Sequence, residues 1–339
     1  MPTQHVRVDS PLVTAVIPTR NRPELVIRAV HSALGQTYPN LEVLVLLDGP
    51  DAATLEQLRK INNLRLRVIV LEKPVGGSEA RNCGVRSAYG EWIAFLDDDD
   101  EWLPEKIALQ VKQARSMTAA FPVISSCVVA QTLLVKFVLP RTVYRPGQQI
   151  GDYLFCPASM AKGGGMMQTS TLLIPRNLLL DVPFRAGLQM HQDWDWLLRA
   201  EKHKGVQFSM LPEPLTIFAT EDERTSTGRG IDWEFSLRWI REVRNLVSPR
   251  AYSSFIAVQC MWRAVKSRAG VRAYARLMRA FIFEGRVSAQ NLSLFLAFWL
   301  IPERTRKRLR NWVWASKERI HKHAHPVWLV ERGFERDAG

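Results

Sequence analysis

GEWIAFLDDDDEWLPEK, residues 90–106, decides the architecture of this 339-residue chain. Its run from Trp92 to Leu96 is almost wholly apolar, the pattern of a strand buried on both faces of a parallel sheet. Four carboxylates follow at once, Asp97 to Asp100. Adjacent acids repel one another and lift each other's pKa unless a cation is present. Hard oxygen donors suit Mg2+ or Mn2+, which commonly take one or two carboxylates together with substrate phosphates. A solvated acidic turn is the plain alternative. The position favours metal, because open α/β sheets bind ligands at the carboxyl ends of their strands.

Three similar runs precede this stretch: Leu12–Ile17, Leu41–Leu47 and Leu66–Leu71. Helical patterns alternate with them. One starts at Pro23-Glu24 and carries Leu25, Val26, Ala29, Val30 and Ala33 at helical spacing; a second covers 52–60. A third starts near Gly77, with Ser78 as its expected N-cap. The first hundred residues thus predict β-α-β-α-β-α-β and an open parallel sheet. At the carboxyl ends stand Pro18-Thr19-Arg20-Asn21-Arg22, Asp48-Gly49 and the acidic run. No GxGxxG follows the first strand, which disfavours a dinucleotide site.

Further on, a helix is expected from Trp102 to about Ala119, strands over Val123–Val138 and Thr171–Ile174, and a turn at Gly163–Gly165. A helix is expected over Asp193–His203, and a polar loop over 221–230. The remainder reads as mostly helical. This divides the chain into 1–228, in two halves over about 12–100 and 101–228, and a helical region over 229–339.

Charge supports that division. Lys and Arg total 46 against 33 Asp and Glu, a net +13. The first 228 residues hold 24 of each sign, whereas the last 111 hold 22 basic and 9 acidic side chains and seven of the eleven tryptophans. A uniformly basic nucleic-acid binder is therefore disfavoured, and no nucleic acid is expected as a partner. The four cysteines are scattered, against a zinc site or a disulfide framework. No signal-like segment opens the sequence, and the apolar run Leu294–Ile301 is too short to span a bilayer. The expectation is a cytoplasmic protein, peripheral at the inner face of a membrane. There LSLFLAFWLI and the following PERTRKRLRN would meet anionic lipid. A helical subdomain packed on the body is the alternative for this region.

PTRNR (18–22), LLDGP (46–50), GGSEARNCG (76–84), the acidic stretch and QDWDW (192–196) occur in an order and spacing that resemble family 2 glycosyltransferases of the GT-A fold, over roughly residues 12–220. The resemblance implies a Rossmann-like, mostly parallel sheet with flanking helices, followed here by the basic, Trp-rich helical region. It implies inverting, metal-assisted transfer of a sugar from a nucleotide-sugar to a saccharide or lipid-linked acceptor, with a UDP-sugar favoured. It gives Asp99 as metal ligand with Asp97, and Asp97 and Asp98 as holders of the metal shell and the donor ribose or sugar. Asp48 would bind the base, and Pro18 and Thr19 would line its pocket. Arg22, Gly77 and Arg81 would face the donor, and Asp193 would be the general base. Leu47 stands where the family commonly has an acid, and Gln192 where it usually has Glu. Residues 219–227 lack the histidine often found there, which leaves Arg224 as the expected diphosphate contact.

Two carboxylate sites with separate tasks suit this chemistry. One neutralises the leaving diphosphate through a metal, and the other deprotonates the acceptor hydroxyl. Several residues have plainer roles open to them. Asp193 and Asp195 could cap a helix, Arg81 could pair with the acidic run, Trp194 and Trp196 could stack on a sugar or fill a core, and His191 could be a local hydrogen-bonding group. A nucleotidyltransferase would want a glycine-rich phosphate loop after the first strand, which TRNRPE lacks. A non-catalytic nucleotide-sugar-binding protein is disfavoured by the intact DDDD and Asp193.

Overall fold

The computed structural model describes residues 10–131, 136–159, 163–219, 232–301 and 305. Its first half is β1 (Val13–Thr19), α1 (Pro23–Leu34), β2 (Leu41–Leu47), α2 (Ala52–Arg59), β3 (Leu66–Val70), α3 (Gly77–Ser87) and β4 (Trp92–Phe95). These four strands are parallel, in the order β3-β2-β1-β4. Alternate residues of each strand face opposite layers. Val13, Ala15 and Ile17 join Val26, Val30 and Ala33 of α1 in one core, while Val16 joins Leu44, Leu46 and Val85 in the other. Pro23 pre-sets the first turn of α1, and Leu25, Val26, Ala29, Val30 and Ala33 are its buried face.

Beyond β4 the sheet turns mixed. β5 (Glu101–Trp102), α4 (Lys106–Ser116), β6 (Phe121–Gln131), β7 (Lys136–Leu139), α5 (Ile150–Phe155), β8 (Leu173–Pro175), α6 (Arg176–Asp181), α7 (Gln192–Ala200) and β9 (Val206–Ala219) follow. Among the described residues the order continues β4-β8-β6-β9-β5, with β7 on β6. β8 runs antiparallel to β4 and β6, whereas β6 and β9 are parallel.

Three expectations need correction. Trp102 does not open a helix. It lies in β5, paired with Thr216 of β9, and α4 begins only at Lys106, after Pro104. The residue before a proline is disfavoured in the helical region, so a helix through Leu103 was improbable on local grounds. The run 123–138 is two strands rather than one, with 132–135 outside the described residues. Ser78 is not the N-cap of α3: Gly76 holds that place at φ 85°, a left-handed conformation open to glycine, and the Ser78 hydroxyl is buried without a partner.

The C-terminal part comprises α8 (Trp233–Glu242), α9 (Pro249–Phe255), α10 (Met261–Lys266), α11 (Val271–Phe283) and α12 (Ala289–Leu300), with a π-helical turn at Ile256–Cys260 joining α9 to α10. The expected boundary at 228/229 lies outside the described residues. Trp239, Phe255, Phe281 and Phe295 belong to the same apolar core as Val16 and Phe95 of the sheet. No helix among the described residues is long and apolar enough to cross a membrane.

Candidate active site

The acidic run leaves β4 at the carboxyl edge of the parallel strands, beside the ends of β1 and β2. Thr19, the buried last residue of β1, donates from Oγ1 to Asp98 Oδ2 at 2.6 Å. Arg22 donates from Nη1 to Asp98 Oδ1 at 2.8 Å and to Asp99 Oδ2 at 3.2 Å. Asp98, expected to face the donor, is thus turned inward with both oxygens engaged, as a buried carboxylate requires. Its pKa is still pushed up to about 6, by burial first, with Thr19 and Arg22 pulling down and the charge of Asp99 adding to the rise.

Asp97 and Asp99 stay nearer solvent, with side chains 27% and 38% exposed. Burial and then the Asp97 charge raise the pKa of Asp99. Two mutually repelling carboxylates with solvent-reached oxygens fit a Mg2+ or Mn2+ ion that takes its other ligands from phosphates and water. No group of three or more His, Cys, Asp or Glu around one metal position occurs among the described residues. The run is held from behind by residues the sequence reading missed. Asp97 N–H donates to Ser170 Oγ at 3.0 Å, and Gln168 Nε2 donates to Asp100 Oδ2 at 2.8 Å. Both partners lie about seventy positions away and carry no local motif.

Arg81 joins the two halves of the site. Its Nη2 donates to Asp97 Oδ1 at 2.5 Å and its Nη1 to Gln192 Oε1 at 2.8 Å. Instead of facing the donor openly, it is buried as a clamp between the acidic run and the start of α7. Gln192 also donates from Nε2 to the Leu188 carbonyl at 2.6 Å. Gly77 leaves room for the clamp, since a Cβ there would stand 3.2 Å from Arg81 Nη1 and 3.3 Å from Gln192 Oε1.

Asp193 follows Gln192 and is half-buried. Its Oδ1 accepts from Trp194 N–H at 2.9 Å, a free N–H of the first turn of α7, whose N-cap position is held by His191. Its pKa is pushed up to about 6, by burial foremost and then by the Asp97 charge, against the Trp194 N–H and Arg81. A carboxylate in that range is ionised at neutral pH yet basic enough to take a proton. Asp195 is not a cap. It is fully buried, pairs with Arg185 Nη2 and Arg199 Nε at 2.8 Å each, and accepts from Trp239 Nε1 at 3.1 Å.

The neighbouring aromatics are packing residues. Trp196 is fully buried, stacks on Phe184 and donates to the Val182 carbonyl at 2.7 Å, so it cannot meet a sugar. His191 takes φ 64° immediately before α7 and stacks on Trp194 at 5.0 Å between ring centroids. Its Nε2 lies 3.0 Å from Ser236 Oγ, and burial drives its pKa well below 6.5, which leaves the ring neutral.

On the side expected to hold the nucleotide, Asp48 accepts from Val75 N–H at 2.6 Å through Oδ1 and from Gly76 N–H at 3.0 Å through Oδ2. Gly49, at φ 101°, lets Pro74 approach; a Cβ would fall 2.9 Å from the proline ring. The pair thereby fastens the loop that leads into α3. Thr19 offers its carbonyl to Asp48 N–H at 2.9 Å, and Pro18 is half-buried in β1 opposite Leu46. A cavity of about 250 Å3 opens between this loop and the segment before α7, lined by Gly76, Gly77, Leu188, Met190 and Gln192. Arg224 lies outside the described residues.

Comparison with known proteins accords with this geometry. Residues 14–153 match the family model described as glycosyl transferase family 2. The amylovoran biosynthesis glycosyltransferase AmsB of Erwinia amylovora is 26% identical over 282 residues, 80% of this chain and 91% of that protein. The Escherichia coli enzyme WfaP, a UDP-Glc:α-D-GlcNAc-diphosphoundecaprenol β-1,3-glucosyltransferase, is 37% identical over 100 residues, 30% of this chain and 40% of that one. Among solved structures, the mannosyltransferase PcManGT of Pyrobaculum calidifontis, in complex with GDP-Man and Mn2+, matches with a TM-score of 0.55 at 18% identity, over 94% of this chain and 89% of that one. A likeness of that degree speaks for the fold.

Proposed function

We propose that this chain, which belongs to glycosyl transferase family 2 and is a glycosyltransferase, moves a sugar with inversion from a nucleotide-diphosphate sugar, a UDP-sugar by preference, to a hydroxyl of a saccharide or lipid-linked acceptor in cell-surface polysaccharide or glycolipid synthesis. The observation that carries the reading is the Arg81 clamp. One side chain ties the acidic run to the residue preceding Asp193, so the donor side and the acceptor side are built as one unit.

Asp97 and Asp99 would hold a Mg2+ or Mn2+ ion, which bound there offsets the charge growing on the leaving diphosphate. The complex of PcManGT with Mn2+ and GDP-Man supports divalent-metal use in this fold. Arg22, within reach of Asp99, adds positive charge at the same place, and Arg224 is proposed to do so from its loop. Asp48 and Thr19 shape the base pocket through the backbone they hold, with Pro18 at its floor. Asp193 takes the acceptor hydroxyl proton on Oδ2 while Oδ1 stays bonded to Trp194 N–H. The acceptor oxygen attacks the anomeric carbon from the face opposite the diphosphate, which inverts that centre. Placement at the cytoplasmic face of a membrane, through the basic C-terminal region, belongs to the same proposal.

Thermal melting with nucleoside diphosphates and nucleotide-sugars, each with and without Mn2+, tests the donor half. Ligand that binds only the folded chain raises its melting temperature by mass action. The expected result is a metal-dependent shift for one base, lost in Asp99→Asn. A shift that persists unchanged in Asp99→Asn, or that ignores metal, would overturn the assignment of the acidic run.

A further inference from the structure

The strongest mismatch between sequence and burial lies away from the site. α12, AQNLSLFLAFWL, has no charged residue and is apolar nearly all round, yet only Asn291 and Phe295 are buried. A helix of that kind belongs in a core or in lipid. On its outer side Leu292, Leu296, Trp299 and Leu300 follow helical spacing. Leu292 is 39% exposed, Trp299 45% and Leu300 70%.

α11 lies alongside it and antiparallel, with Phe281 stacked on Phe295 and Tyr274 stacked on Trp299. α11 buries Ala273, Leu277, Ala280 and Phe281. Its remaining surface separates into two stripes at helical spacing. Val271, Ala275, Met278 and Ile282 form an apolar stripe on the side of Tyr274, and hence of α12. Arg272, Arg276 and Arg279, with the exposed Phe283 among them, form the next stripe; Arg276 is also paired with Glu234 of α8 at 3.2 Å. Together the two helices present an apolar strip edged by arginines. The chain leaves this strip at Ile301, and its sequence continues at once with Arg304, Arg306, Lys307, Arg308 and Arg310.

We propose that this α11–α12 face seats in the interface of an anionic lipid bilayer, with Ile282, Leu292 and Leu300 at acyl depth and the arginine stripe at the headgroups. Apolar residues beside Lys and Arg are the composition of an interfacial helix, and the cations supply the attraction to anionic lipid. A twelve-residue helix rises about 18 Å, short of the ~30 Å hydrocarbon core, so it lies in the surface rather than crossing it. A second copy is the poorer occupant. A two-fold contact with its axis across the helices would set the arginine stripes close to one another, and like charges so placed are costly. The inference rests on the attachment part of the proposed function and not on the transfer reaction.

The test is sedimentation of the full chain with vesicles of phosphatidylcholine alone and of phosphatidylcholine with phosphatidylglycerol. Binding to the anionic vesicles is expected, at least tenfold stronger than to the neutral ones. It should weaken as salt rises from about 0.1 to 1 M and the screening length falls from about 10 to 3 Å. Ile282→Asp with Leu292→Asp, and separately Arg272→Glu with Arg279→Glu, should each lower that binding at least tenfold. All four positions are exposed, and the metal-dependent nucleotide shift verifies that the variants fold. That shift also keeps the two readings apart, since vesicle binding can fail while it stands, and the reverse. No sedimentation with anionic vesicles, or unchanged binding by both variants, overturns the proposal. So does a dimer in solution that Ile282→Asp with Leu292→Asp makes monomeric. So do amides of 289–300 equally protected from hydrogen exchange with and without vesicles, which would mean that the chain's own C-terminal segment covers the strip.

Discussion

Asp193 is ionised against two opposing influences, burial and the nearby charge of Asp97, and both push its pKa up to about 6. Such a group binds its proton more tightly folded than unfolded. The stability this confers is present below the ordinary carboxylate pKa near 4 and is lost as pH rises through about 6. Above that, the carboxylate costs the fold about 1–3 kcal/mol. Asp193→Asn is therefore expected to melt several degrees higher than the parent at pH 7.5 and at the same temperature near pH 4, by calorimetry at both values. The same substitution should slow transfer roughly 10²- to 10⁴-fold while the nucleotide shift survives. A parent enzyme whose turnover shows no acid limb between pH 5 and 7, or a variant that melts lower at pH 7.5, would count against this carboxylate as the base. Arg81 and Asp98 teach a different lesson at this scale: a motif named both, but their neighbours decided that one clamps and the other is sealed inside.

The element that matters most is α7, because it carries the proposed base. Its first turn is held from within by Asp195, which receives two guanidinium groups and the Trp239 indole N–H of α8. Burying a charge is tolerated only when it is paired, and removing one partner strands the others. Asp195→Ala is expected to destabilise the chain by about 3 kcal/mol in urea unfolding, since Trp239 Nε1 loses its acceptor. A change below about 1 kcal/mol would mean that α7 is held by its apolar face alone. β9 shows why an element can escape a sequence reading. Pro212 and Pro214 interrupt it, the marks of a loop or an edge, yet it pairs along β6 with register shifts at Ser126 and Cys127 that absorb the irregularity. β5 is only two residues long and exists because β9 lies next to it.

Across the whole molecule, one apolar core runs from β1 and β4 through α7 into α8–α12. Truncation after Ala219 would expose the surface that Trp239, Tyr252 and Phe255 now cover. Such a fragment is expected to aggregate or to melt without a cooperative transition. A soluble fragment that melts cooperatively and keeps its nucleotide shift would instead establish residues 1–219 as an independent unit. The β-α alternation of the first hundred residues was legible because each strand is a buried apolar run and each helix has its own period, both of them local properties. The acidic run, Asp48 and Asp193 stood out as candidates for a related reason: a strand's end and a helix's start are marked in the sequence, and ligands gather there. What tertiary structure alone decided is the set of contacts between distant positions. These are the order of β8, β6 and β9, the support of Asp97 by Ser170, the Arg81 clamp on Gln192, and the burial of Asp98 under Thr19. Hydrogen bonds and burial depend on which groups meet in space, and a one-dimensional period carries no record of a partner seventy or more residues away.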